Sequence, residues 1–321
     1  MTEPIAVSTL PAPIVARWQD YVQLLKPRVM SLVVFTAFTG LMCARVPMNP
    51  VLAAVAVLCI ALGAGGSAAL NMAYDADIDL LMRRTRGRPV PTGAVQAADA
   101  LALGITLSLF SVGIMGLALN WVAAALLGFT IVFYALVYTV WLKRRTPQNI
   151  VIGGLAGALP PAVGWAAASG SAPFNAWLLV AIIFLWTPPH FWALSLYTSA
   201  DYAKAGVPMM PVIKGAPSTR RQIVIYSVIL ALVAVAPAFT GLGGWLYAGV
   251  AVLAGLAFVA LAVRLARSTA GDAVPQHDGL YDVKAATRPA RDLFVFSILY
   301  LFSLFAALLI ERVSALLGLI L

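Results

Sequence analysis

NMAYDADIDLLMRRTRGRP, residues 71–89, closes an apolar run that begins near residue 51. Aspartates stand at 75, 77 and 79, and arginines follow at 83, 84, 86 and 88, in a chain with only 12 acidic residues among 321. A charge at the inner edge of an apolar run is expensive and marks function. Asn71, Asp75 and Asp79 are spaced i, i+4, i+8. On a helix they form one stripe roughly 80° wide, rising about 6 Å per step, with Asp77 pointing elsewhere. A row of hard oxygen ligands suits Mg²⁺, which combines carboxylates with water and phosphate oxygens. Guanidinium groups grip phosphate through paired hydrogen bonds. The stretch therefore reads as a metal and diphosphate site at a membrane surface. Gly63, Gly65 and Gly66, just upstream, would permit close helix packing or a kink.

The rest of the chain supplies the membrane. Hydrophobic residues make up 62% and charged residues 10%, against about 25% charged in soluble domains. Mean hydropathy is +0.94. Apolar runs of about 18 residues read as spanning helices. Nine are expected, near 29–46, 51–74, 98–118, 121–141, 149–169, 174–198, 223–241, 245–266 and 293–310. Of the 21 lysines and arginines, all but Arg45 and Arg312 then fall on one side. Basic loops stay in the cytoplasm, so the N-terminus is expected inside, the C-terminus outside and the working face cytoplasmic. The net charge of +9 belongs to topology, and no nucleic-acid partner is expected. Residues 1–22 read as a flexible tail with neither signal-peptide nor transit-peptide character, and 23–321 as a single polytopic domain. Cys43 and Cys59 sit in apolar runs and read as small buried hydrophobes.

A second acidic motif closes the sixth span, with Asp201 and nearby Lys204. The pair Pro188–Pro189 is expected to interrupt that span and free backbone carbonyls, with His190 starting a fresh helical segment. His190 and Asp201 are eleven residues apart, so on one helix they would share a face, up to ~16 Å apart. Two readings of His190 stand: a histidine bonded to freed carbonyls, or a contact to a substrate or cofactor such as an iron. His277 reads as solvated.

The N-x-x-x-D-x-x-x-D pattern of Asn71, Asp75 and Asp79, followed by RRTRGRPVPTG, resembles the first motif of the UbiA superfamily of membrane prenyltransferases. Further stretches, LLKPRVM (24–30), LKRRTPQNIVIGGLAGALPPAVGWAAASG (142–170) and TPPHFWALSLYTSADYAKAGVPMMPVIKG (187–215), are similar to its haem-farnesylating branch. Many superfamily members carry a second DxxxD motif. Here Ala205 stands where its second aspartate would be, as in that branch, which puts a simple two-metal scheme in doubt.

The resemblance implies an all-α integral membrane protein with nine helices in a U-shaped bundle around a central cavity. It implies Mg²⁺-dependent transfer of farnesyl from farnesyl diphosphate to the 2-vinyl group of haem B, then water addition, in a bacterial inner membrane. Haem A synthase or an oxidase-assembly protein would be a candidate partner. Asn71, Asp75, Asp79 and Asp201 become the metal set, with the three aspartates catalytic. Arg84, Arg88, Lys143, Arg144 and Lys204 become the diphosphate set, and His190, Lys26 and Arg28 the haem-contact candidates. Charges that stabilise the departing diphosphate would drive ionisation. Tyr74, Tyr138 and Trp186 are candidates to face the allylic cation. The competing readings are a quinone-pathway aromatic prenyltransferase, a transporter with intramembrane acids and a passive assembly subunit.

Overall fold

The structure is a computed structural model that describes residues 16–272 and 286–319. His277 and residues 1–15 of the expected tail lie outside the described residues. Fourteen helices are described, and no strand. They are α1 (Trp18–Leu24), α2 (Pro27–Cys43), α3 (Pro50–Tyr74), α4 (Ala76–Leu81), α5 (Ala97–Ala118), α6 (Trp121–Val132), α7 (Asn149–Ala158), α8 (Pro160–Ser169), α9 (Phe174–Tyr197), α10 (Ser199–Lys204), α11 (Met210–Lys214), α12 (Ala216–Phe239), α13 (Trp245–Ala266) and α14 (Arg288–Leu316). A π-helical stretch, Phe133–Leu142, continues α6.

Among the described residues, eight helices are long and apolar enough to cross a membrane. A ninth crossing exists if α1 and α2, bent by 51° at Leu25–Lys26, count as one. The chain is a multi-pass membrane protein. The backbone requires this form, because lipid offers no partners for peptide groups and each span must satisfy its own. Residues 18–22, expected in the tail, are helical and belong to α1.

Packing follows chain order. α3 lies along α5, α2 along α8, α12 along α13 and α9, and α14 touches α13, α9 and α2, so the last helix returns to the first. Small residues set the closest approaches. A Cβ on Gly164 would fall 2.0 Å from the Ala37 carbonyl oxygen, and one on Gly40 would fall 2.1 Å from that of Pro161, so α2 and α8 touch backbone to backbone. Gly66 meets Gly104 and Ser108 of α5 in the same way, and close packing is what the upstream glycines deliver. α9 is the most enclosed long helix together with the α7–α8 pair. Cys43 and Cys59 are free and buried.

Three sequence expectations need correction. The Asn71–Asp79 helix is not continuous: α3 ends at Tyr74, Asp75 is its C-cap, and α4 restarts at Ala76. The proline pair does not break α9, which runs unbroken from Phe174 to Tyr197 with both prolines inside. The break falls later, at Thr198, so His190 and Asp201 belong to different helices and share no helix face. The fifth span lies where expected, at Asn149–Ser169, and is built of two helices meeting at Leu159–Pro160, where Pro160 takes the N1 position that proline tolerates.

Candidate functional site

The break at Asp75 makes the site. The Asp75 amide still donates to the Asn71 carbonyl at 3.0 Å, and Asp79 N–H donates to the Asp75 carbonyl at 2.9 Å. The turn therefore keeps Asn71, Asp75 and Asp79 on one side while α3 gives way to α4. All three are buried. Asp77 points outward, as expected, with 63% of its side chain exposed.

The polar groups form one network. Lys26 Nζ donates to Asn71 Oδ1 at 2.7 Å. Asn71 Nδ2 donates to Asp75 Oδ2 at 2.6 Å and to Thr139 Oγ1 at 3.2 Å. Lys143 Nζ forms a close ion pair with Asp75 Oδ2. Arg88 pairs with Asp79 Oδ2 at 2.6 Å. Arg144 holds Asp77 through two bonds of 2.7 and 2.8 Å, touches the Tyr74 carbonyl, and lies 4.9 Å above the Tyr74 ring. That guanidinium holds the Asp77 carboxyl below the usual carboxylate range, chiefly by its hydrogen bond.

Two atoms stand out. Among the described residues, Asp75 Oδ1 and Asp79 Oδ1 are buried and accept no hydrogen bond; Arg144 Nη2 lies 3.7 Å from the first. A buried acceptor without a partner costs about 1–3 kcal/mol, more when charged. Two such oxygens, one turn apart, fit a hard cation. Asn71 has its oxygen bonded by Lys26 and its nitrogen donating to Asp75 and Thr139, and so braces the Asp75 carboxylate. Among the described residues no three His, Cys, Asp or Glu side chains gather at one point, so Asp201 does not join Asp75 and Asp79 in a carboxylate trio. Mg²⁺ tolerates this, since it keeps several waters and takes substrate phosphate oxygens.

Asp201 occupies the neighbouring rim. It lies half-buried on α10, whose Tyr202 packs with Ile78 of α4, Met82 just beyond that helix and Ile150 of α7. Arg84 Nη2 reaches the Tyr202 hydroxyl at 3.5 Å. Lys204 and Arg28 are exposed. Lys26, expected as a contact to haem propionates or diphosphate or as plain topology charge, is built into the acidic network from a left-handed backbone, φ 52°.

Sequence reading missed Thr139 and the reason it faces Asn71. The π-helical stretch carries i→i−5 bonds, Thr139 Oγ1 to the Tyr134 carbonyl at 2.9 Å and Lys143 N–H to the Tyr138 carbonyl at 2.9 Å. Such insertions re-aim side chains and cluster at functional sites. Hydropathy carries no trace of this one, because the segment is apolar in either winding. Tyr134 and Tyr138, both partly accessible, lie on the same stretch. Gly153 leaves room for Tyr138, since a Cβ there would fall 2.1 Å from the ring. Of the three aromatics expected to face a cation, Tyr138 belongs to this π-helical stretch. The Tyr74 face is taken by Arg144 and that of Trp186 by His190, 4.2 Å away and nearly parallel. His190 also stacks on Phe294 at 4.7 Å, and its Nδ1 is 2.6 Å from Ser297 Oγ.

An all-helical membrane bundle with buried carboxylates ringed by lysine and arginine at one end defines a membrane enzyme class that handles diphosphates. The chain belongs to the UbiA prenyltransferase family, whose pattern matches residues 33–276. A protoheme IX farnesyltransferase of Caulobacter sp. (strain K31) is 68% identical over 94% of this chain and 91% of its own length. One from Hyphomonas neptunium is 54% identical over 98% of each. Among solved structures, a UbiA homologue from Archaeoglobus fulgidus bound to DMAPP and Mg²⁺ superposes with a TM-score of 0.64 at 16% identity, over 90% of this chain and 99% of that one. A digeranylgeranylglyceryl phosphate synthase gives a TM-score of 0.69 at 14% identity, over 90% and 98%.

Proposed function

We propose that this protein transfers the farnesyl group of farnesyl diphosphate to the 2-vinyl group of haem B, with water addition, releasing diphosphate and haem O. The paired unpartnered oxygens of Asp75 and Asp79, inside a ring of cations, carry the mechanism. The 68% identity to a protein named protoheme IX farnesyltransferase carries the choice of substrates. The uneven distribution of basic residues favours an active site facing the cytoplasm of a bacterial inner membrane. Haem A synthase or an oxidase-assembly protein would then receive the product.

Bound Mg²⁺ would supply positive charge to the leaving diphosphate. Asp75 and Asp79 would hold it through their free oxygens, and Asn71 and Thr139 would keep Asp75 turned toward it. Lys143, Arg88 and Arg144 are ion-paired at rest, and their cationic ends lie where diphosphate oxygens would enter. Arg84 and Lys204 extend that charge along the rim, where Asp201 faces the same entrance. These fixed charges act where negative charge develops, which is where electrostatic stabilisation is most effective. The farnesyl C1–O bond breaks, and its electron pair leaves with the diphosphate. The vinyl π electrons form the new carbon–carbon bond, water closes on the resulting cation, and one proton is released. Tyr138 presents a π face near the ionising end. The enclosing apolar helices keep water out until the bond has formed.

Purified protein in detergent, given haem B, farnesyl diphosphate and Mg²⁺, should yield a haem heavier by farnesyl plus water in mass spectrometry, and Asp75→Ala should not. Prenylated 4-hydroxybenzoate in place of that product would move the assignment to the quinone branch of the family.

A further inference from the structure

The mechanism above leaves His190 unused, yet the protein fixes this side chain in every respect. Its ring is stacked between Trp186 and Phe294, with Phe191 edge-on at 5.0 Å. Trp186 is itself anchored, donating its indole N–H to the Ser297 carbonyl at 2.7 Å. The ring cannot rotate without breaking this stack.

The hydrogen-bond pattern then assigns the tautomer. Ser297 Oγ donates its single proton to the Phe294 carbonyl at 2.6 Å. It therefore only accepts from His190, 2.6 Å away, and the proton in that bond belongs to Nδ1. Nε2 is left with a lone pair. Among the described residues it has no partner, and it is not sealed from accessible space. His190 keeps 8% of its surface accessible. The neighbouring Phe191 packs against the Ile78–Met82–Ile150–Tyr202 cluster, which puts this corner beside the rim of the acidic site.

A neutral imidazole with Nδ1–H committed to an oxygen and Nε2 bare is the form that ligates metals, with the hydrogen bond setting ring orientation and basicity. We infer that His190 Nε2 is an axial ligand to the iron of the haem acceptor, holding the porphyrin in register. This rests on the acceptor assignment made above. His190 is then a binding residue for the acceptor, and Ser297 positions it.

The test is resonance Raman spectroscopy of ferrous haem bound to the purified full-length chain. Wild type should show an iron–histidine stretching band. His190→Gly should lose it, and added imidazole should restore it, while binding of farnesyl thiodiphosphate stays unchanged. Ser297→Ala should keep the band at a lower frequency, because the imidazole loses its acceptor and becomes a weaker base. This second variant tests the idea even if the glycine variant fails to fold. A haem spectrum indifferent to both substitutions, in a protein that still makes the farnesylated product, would overturn the ligand and leave the lone pair as a base for water. A wild type that binds farnesyl thiodiphosphate but no haem would overturn the acceptor assignment itself.

Discussion

The two ends of the bundle both gather charge and use it differently. Asp75 and Asp79 follow the C-terminal end of α3, whereas Arg45 precedes its start; the 25 residues between span about 37 Å. At the Arg45 end, among the described residues, Arg45, Glu311 and Arg312 all bond backbone groups. Glu311 accepts from the Gly244 and Tyr247 amides, at 2.6 and 2.9 Å, capping α13. Arg45 donates to the Gly241 carbonyl at 2.6 Å beyond α12, and Arg312 to the Met42 carbonyl at 3.0 Å near the end of α2. These are helix-end groups with no partner of their own, and the side chains close them. At the Asp75 end the charges hold one another, and two oxygens are left over. One end is a latch and the other a socket.

Removing a socket carboxylate should have the largest effect. Asp75→Ala or Asp79→Ala should lower farnesyl transfer by at least ~10²-fold, the scale for losing one group that stabilises developing charge, while the detergent-solubilised protein elutes unchanged in size-exclusion chromatography. If Glu311→Gln cost as much activity, the contrast between the two ends would collapse.

Arg88→Ala should come next. It removes a charged hydrogen bond from Asp79 and a cation from the diphosphate path, so half-saturation by farnesyl diphosphate should rise roughly tenfold or more. Steady-state kinetics would check this, and a change in turnover alone, with saturation untouched, would speak against a binding role.

Glu311→Ala should invert the pattern. Losing a helix cap costs on the order of 1 kcal/mol, so thermal unfolding should fall by a few degrees with turnover unaltered. Activity loss without destabilisation would show that the latch end takes part in the reaction.

Much of this contrast was legible beforehand. The stripe of Asn71, Asp75 and Asp79 could be read because oxygen ligands at helical spacing are rare in an apolar chain. The isolation of Arg45 and Arg312 followed from counting, though their capping roles did not, since those depend on which helix ends meet in space. The expected break at Pro188–Pro189 failed because α9 is held by neighbours along its length, and packing overrides the local preference of two prolines. Thr139 and Lys26 stayed hidden for a different reason. One depends on a π-helical winding and the other on a left-handed turn, and neither changes composition. The partners of Asn71, namely Lys26, Asp75 and Thr139, come from other elements or depend on the turn at Asp75, and no spacing in the sequence shows them.

The smallest effect should come from the exposed edge of the socket. Arg144 depresses the Asp77 carboxyl, so the folded state binds the proton less well than the unfolded chain. The stabilisation is present above the ordinary carboxylate range and fades as pH falls through and below it, near 4 and lower. Asp77 is largely exposed, so the effect should stay below ~1 kcal/mol. Asp77→Asn should thus unfold slightly earlier than wild type at pH 7, with a smaller gap at pH 3. Equal gaps at both values would remove the ion pair from the account.

The central claim is that Asp75 Oδ1 and Asp79 Oδ1 await a cation carrying diphosphate. Equilibrium binding of labelled farnesyl thiodiphosphate, with and without Mg²⁺, to wild type and to the Asp75→Asn, Asp79→Asn double variant tests it most directly. Wild type should bind far more tightly with Mg²⁺, and the variant should lose that difference. Mg²⁺-dependent binding that survives in the variant would place the metal elsewhere and contradict the socket.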